Sequence, residues 1–120
     1  MISLPVDERT QRVEVVDGEL LVCPSCKDSY LHHANVHIWQ RNEDQKEGTF
    51  IVSTRDETIT SNNYPMDDCP SSRRSAVAIQ FWCESCHNIN QLNICQHKGQ
   101  TFMEWQWISQ INSEENTPGS

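Results

Sequence analysis

Two Cys-x-x-Cys motifs, Cys23-Pro24-Ser25-Cys26 and Cys83-Glu84-Ser85-Cys86, constrain this chain more than any other feature. One such turn offers two sulfur ligands from a single tight loop. Two turns together complete the tetrahedral shell of a thiolate-bound metal, with metal–sulfur distances of about 2.3 Å. Leu20-Leu21-Val22 runs into the first motif and Ile79-Gln80-Phe81-Trp82 into the second, so each is expected between a strand and its return strand. Cys23, Cys26, Cys83 and Cys86 are therefore the expected ligands of one structural Zn2+ ion.

Other uses of these cysteines fit the pattern less well. Structural disulfides need an oxidising compartment, and residues 1–22 carry Asp7, Glu8, Arg9, Arg12, Glu14, Asp17 and Glu19 with no apolar leader core. A cytoplasmic location without membrane association is expected. A thioredoxin-like redox pair wants one motif at a helix start in a βαβ unit, which the pattern lacks. Cys83-Glu-Ser-Cys-His87 matches a haem-attachment signature, but that leaves the first motif unexplained. Iron or an iron–sulfur cluster could use the same four thiolates. Cys69 falls in a loop and reads as a free thiol, and Cys95 as a small core filler. His33 and His37 share a face of one expected strand but lie about 13 Å apart along it, too far to hold one ion without a bulge.

The hydrophobic pattern is β throughout. Val13 to Val22 reads as a hairpin around Asp17-Gly18, a strong two-residue turn signal. Tyr30 to Trp39 alternates, with Tyr30, His32, Ala34, Val36 and Ile38 expected on one face. Thr49 to Thr54 and Thr58 to Thr60 make a second hairpin, 61–75 an irregular loop, and Ala76 to Trp82 the clearest strand. Gln91 to His97 and Thr101 to Ile108 follow, joined at Lys98-Gly99. The expected organisation is a flexible arm over 1–12, a β domain over 13–108, and a disordered tail over 109–120.

These features resemble the zinc-ribbon class. The residues that carry the likeness are CPSC at 23–26, CESC at 83–86 and their flanking strands, about half of the chain. The glycine usual after each knuckle is replaced by Lys27 and His87, and the long spacer implies an inserted hairpin around 49–60. The segment QHKGQTFMEW at 96–105 is similar to small bacterial and phage proteins of this kind. The resemblance implies a mainly β, zinc-ribbon-like antiparallel sheet with an inserted β-hairpin and little helix. It implies nothing about activity.

Function is expected to be binding rather than catalysis. Four cysteines leave no open position for water on the metal, no Gly-rich phosphate loop occurs, and the carboxylates gather in loops. With 9 Lys+Arg against 17 Asp+Glu the formal charge is −8, which opposes non-specific nucleic-acid binding and favours a basic protein partner. Trp105 and Trp107, near the end of the last strand, are the expected exposed anchors. A protein–protein adaptor or regulator is expected, and a phage or mobile-element inhibitor of a basic host enzyme that handles nucleic acid would suit this charge. The alternative is a nucleic-acid-binding ribbon using Arg73, Arg74 and Lys98 with nearby aromatics for stacking.

Overall fold

The computed structural model describes residues 6–108, with side chains described from residue 11. The expected tail at 109–120 lies outside the described residues. No helix occurs among them, so none is long and apolar enough to cross a membrane. The nine strands are β1 (Val6–Gln11), β2 (Val15–Val16), β3 (Leu20–Leu21), β4 (Leu31–Gln40), β5 (Glu47–Ser53), β6 (Thr58–Pro65), β7 (Ala76–Cys83), β8 (Ile89–His97) and β9 (Gln100–Ile108). Seven form one antiparallel sheet in the order β1-β9-β8-β7-β4-β5-β6, while β2 and β3 pair as a separate hairpin.

The turns follow their residues. Asp17 and Gly18 take φ of 54° and 77°, and Lys98 and Gly99 take 51° and 79°. Two successive positive φ values are what a tight two-residue hairpin needs to match strand twist. The inserted hairpin β5–β6 forms as expected, but β6 runs on to Pro65 instead of giving way to loop at Ser61. Val6–Gln11, expected within a flexible arm, pairs with β9 and becomes the sheet's edge.

Two bulges decide which side chains share a face. In β4, His33 pairs with Phe81 and Val36 with Ile79, so Ala34 and Asn35 together oppose Gln80. One extra residue reverses the alternation beyond it. His32 therefore joins the face of His37 and Trp39, and His33 joins that of Val36 and Ile38, correcting the simple alternation read from the sequence. His33 and His37, expected on one face, are on opposite ones.

In β6 the register slips between Gly48↔Tyr64 and Phe50↔Ser61. Asn63 supplies the kink at φ 54°, a conformation that Asn tolerates better than most residues. The slip brings Tyr64 to the face of Phe50, where the rings stack at 4.5 Å and 22°.

One sheet face is covered by the chain itself. Met66 and Cys69 from the β6–β7 loop pack with Trp39, Ala76, Ala78, Phe50, Tyr64 and Cys95. Arg41 clasps that loop to the sheet: its guanidinium donates to the carbonyls of Arg74 at 3.0 Å, Gln45 at 2.9 Å and Ser71 at 2.6 Å. Ser71 donates in turn to the Gln96 carbonyl at 2.9 Å.

On the opposite face Ile51, Ile38, Val77, Ile94 and Met103 line up through paired register positions on five strands. Ser53, Val36, Ile79, Leu92 and Trp105 form the adjacent row. Neither row contains a charged residue.

Gly48 marks a close approach. A Cβ there would lie 2.9 Å from Arg41 Cβ and nearer still to the Gln40 carbonyl oxygen. Because that oxygen belongs to the backbone, it cannot step aside. Gly48→Ala is expected to destabilise the fold by about 1–3 kcal/mol, as overpacking does, measurable by chemical denaturation. Wild-type stability in the variant would show that the β4–β5 turn relaxes freely.

Candidate metal centre

The two knuckles fold by the same local rule. In the first, Lys27 N–H donates to the Cys23 carbonyl at 2.9 Å, and Cys23 N–H donates to the Asp28 carbonyl at 2.7 Å. In the second, His87 N–H donates to the Cys83 carbonyl at 2.9 Å, and Cys83 N–H donates to the Asn88 carbonyl at 3.2 Å. Lys27 and His87 stand at φ 72° and 65°. These are the positions where the ribbon pattern has glycine, and the left-handed backbone is kept without it. Such a conformation costs a non-glycine residue on the order of 1–2 kcal/mol, so tertiary structure must enforce it.

The four expected ligands come together. Sγ of Cys23 lies 3.7 Å from that of Cys86, and Sγ of Cys26 lies 3.6 Å from that of Cys83. All four sulfurs fall within 4.8 Å of one another. A tetrahedron with arms of about 2.3 Å has edges of about 3.8 Å, so this spacing suits one central ion. It is far too long for a disulfide, whose sulfurs sit about 2.05 Å apart. Cys23 and Cys83 are fully buried, whereas Cys26 is exposed and Cys86 partly so.

Proton affinities differ among the four thiols. Burial pushes the Cys26 and Cys86 thiols up, and the Cys23 and Cys83 sulfurs add to the effect. Burial also acts on Cys83, but the backbone N–H groups of Cys86 and Ser85, together with hydrogen bonds from the Cys26 and Cys86 thiols, outweigh it and bring that thiol below its ordinary value. Ser25 N–H points at Cys23 Sγ from 3.4 Å. Backbone N–H groups of this kind stabilise sulfur-bound charge, as the outer shell of a metal site does.

Residues outside the motif tie one knuckle to the other. Ser85 donates to the Asp28 carboxylate, Glu84 N–H donates to the Tyr30 carbonyl at 3.0 Å, and Asn90 donates to Ser25 Oγ at 3.2 Å. Sequence reasoning missed this set. Its one visible signal was the serine at the third position of both motifs, Ser25 and Ser85. Beside the centre, His32 pairs with Glu84, and Trp82 lies between His32 and His87 with ring centroids 5.6 and 5.8 Å away.

The remaining candidates are not brought to this site. Trp105 is 1% exposed and packs edge-on against Phe81 at 5.6 Å, so it is a core residue and not a surface anchor. Trp107 is partly buried, opposite Asn90. Arg73 contacts Asp44 through Nε at 2.7 Å and Glu43 through Nη2 at 2.9 Å, and Arg74 contacts Glu43 at 2.9 Å. The Arg73 guanidinium holds the Asp44 carboxyl below the usual carboxylate range. Lys98 occupies the β8–β9 turn. Cys69 and Cys95 both pack against the covered core, where burial pushes the Cys95 thiol up to about 11.

No family model matches the sequence, and no curated protein or solved structure matches it either.

Removing a ligand should separate the two kinds of cysteine. Cys23→Ser or Cys83→Ser is expected to cost most of the metal's contribution, on the order of 10 kcal/mol in small metal-stapled domains, and to unfold the chain broadly. Cys69→Ser should leave the fold nearly intact. Thermal unfolding followed by circular dichroism checks this, and equal losses in all three variants would contradict the ligand assignment.

Proposed function

We propose that this protein is a non-enzymatic, zinc-stapled binding module that presents its open sheet face to another protein. The metal is assigned as zinc because four thiolates in a closed tetrahedral shell suit an ion that holds structure and needs no vacant position. Iron would fit the same sulfurs, so the assignment rests on the role and not on the geometry. A zinc-ribbon kinship is part of the same proposal, supported by the matching backbone bonds of the two knuckles.

The observation that carries the partner reading is the uncharged apolar row. Ile51, Ile38, Val77, Ile94 and Met103 cross five strands, and Met103 is 58% exposed. At about 4.8 Å between strands the row spans roughly 19 Å, comparable to the centre of a protein interface. The chain as a whole carries a formal charge of −8. The complementary surface is an apolar patch with a basic rim, the face of another protein, because two copies of this chain would repel. An acidic inhibitor of a basic enzyme that handles nucleic acid is one form such a module takes. Since Glu43 and Asp44 already hold Arg73 and Arg74, those acids serve the loop before any partner. The same pairing leaves the nucleic-acid reading without its two expected cations.

Photo-cross-linking from position 103 in the protein's native cells tests the proposal. Cross-links to one heterologous protein are expected, lost in Ile94→Asp and retained in Arg73→Ala with Arg74→Ala. Cross-links only to a second copy of this chain, or to the same partner unchanged in Ile94→Asp, would refute it.

A further inference from the structure

On the covered side of the sheet lies a cavity of about 550 Å³, within the usual size range of small-molecule sites. Its walls differ in chemistry. One is aromatic: Trp39 and Phe50 meet at 5.1 Å, and Phe50 stacks on Tyr64. The other is a row of amides, Gln80, Gln91 and Gln106, at paired register positions on β7, β8 and β9. Gln80 and Gln91 are 2% and 4% exposed.

The amides form a directed chain. Asn35 donates to Gln80 at 3.3 Å, Gln80 to Gln91 at 3.3 Å, Gln91 to Asn93 at 2.9 Å, and Asn93 to Gln106 at 2.6 Å. Both bulged strands contribute. The β4 bulge brings Asn35 to this chain, and the β6 bulge delivers Tyr64 to the aromatic wall.

Two buried polar atoms in lining side chains stay unpaired. His37 is 3% exposed and Trp39 is 4% exposed, yet His37 Nε2 and Trp39 Nε1 have no hydrogen-bond partner among the described residues. Buried polar atoms are almost always paired. Of the four such atoms among the described residues, Trp82 Nε1 and Trp105 Nε1 lie elsewhere, and the two in side chains that line this one cavity invite a ligand that supplies their partners. Burial holds the His37 imidazole below its ordinary value, which favours the uncharged ring in this lining. The lining has no Lys or Arg, and the exposed carboxylates of Asp67 and Asp68 stand at its edge. An anion is disfavoured by those carboxylates, and a full cation by the neutral interior.

We propose that this cavity binds an uncharged planar heterocycle whose edge carries both hydrogen-bond donors and acceptors, the chemistry of a nucleobase. The ring lies against the Phe50–Tyr64 wall, and its edge meets the amide row together with Trp39 Nε1 and His37 Nε2. This site is separate from the metal centre and from the open face, and it stands independently of the partner reading.

Isothermal titration of the metal-loaded full chain with adenosine, guanosine, cytidine and uridine, each beside its 5′-monophosphate, tests the proposal. At least one nucleoside is expected to bind one-to-one with Kd below about 1 mM. Its monophosphate should bind at least about tenfold more weakly, because Asp67 and Asp68 repel the phosphate. Trp39→Phe keeps an aromatic ring and removes the indole N–H, and should weaken nucleoside binding about tenfold. Asp67→Asn with Asp68→Asn changes only exposed side chains, so it preserves the fold, and it should narrow the gap between nucleoside and monophosphate. The proposal is overturned if no nucleoside binds at about 5 mM, if the monophosphate binds as well as the nucleoside, or if Asp67→Asn with Asp68→Asn leaves the gap unchanged.

Discussion

Four sulfurs within 4.8 Å of one another are the constraint on which the rest of this structure depends. They come from positions up to 63 residues apart, and they join parts that the backbone ladder leaves separate. The β2–β3 hairpin is its own two-stranded sheet, and the first knuckle follows directly from it. The second knuckle is the turn between β7 and β8 of the large sheet. Closing both around one cation fixes the small sheet to the large one. Without a cation, gathering four thiols leaves either buried, crowded thiolates or protonated sulfurs with little attraction for one another. The bonds from Ser85 to Asp28 and from Asn90 to Ser25 hold the knuckles in register, but they are single hydrogen bonds, each contributing on the order of 1 kcal/mol.

Within the large sheet, two extra residues do much of the sorting. The bulge at Ala34-Asn35 and the slip around Asn62-Asn63 each reverse strand parity. Together they gather His37, Trp39, Phe50, Tyr64 and the amide row on one face and leave an uncharged apolar block on the other. A sheet without these irregularities would mix the two sets. The long loop then covers only the polar, aromatic side, held down by the Arg41 fork. The two faces thus acquire different environments, one enclosing a cavity and one carrying an apolar row that ends at the exposed Met103.

Much of this was legible in the sequence, for identifiable reasons. The knuckles are local motifs with a fixed ligand spacing, and Asp17-Gly18 and Lys98-Gly99 are local turns whose conformations follow from their residues. The alternation over Ala76 to Trp82 gave its strand directly. What remained hidden was non-local. Nothing in Val6–Gln11 announces that it pairs with β9, and that pairing places β9, the last strand, inside the sheet between β1 and β8, with Gln11 opposite the buried Trp105. Bulges also escape pattern reading, since one inserted residue leaves composition unchanged while moving side chains to the other face. Arg73 and Arg74 looked like free cations because their partners, Glu43 and Asp44, lie some thirty positions earlier in another loop.

The central claim is that one zinc ion holds the two knuckles together, and native mass spectrometry with elemental analysis tests it most directly. The protein should be purified without added metal and then exposed to a strong chelator. The account predicts one zinc per chain, with loss of the ion and unfolding occurring together. A folded chain carrying no metal, or one carrying iron with visible absorbance, would contradict it.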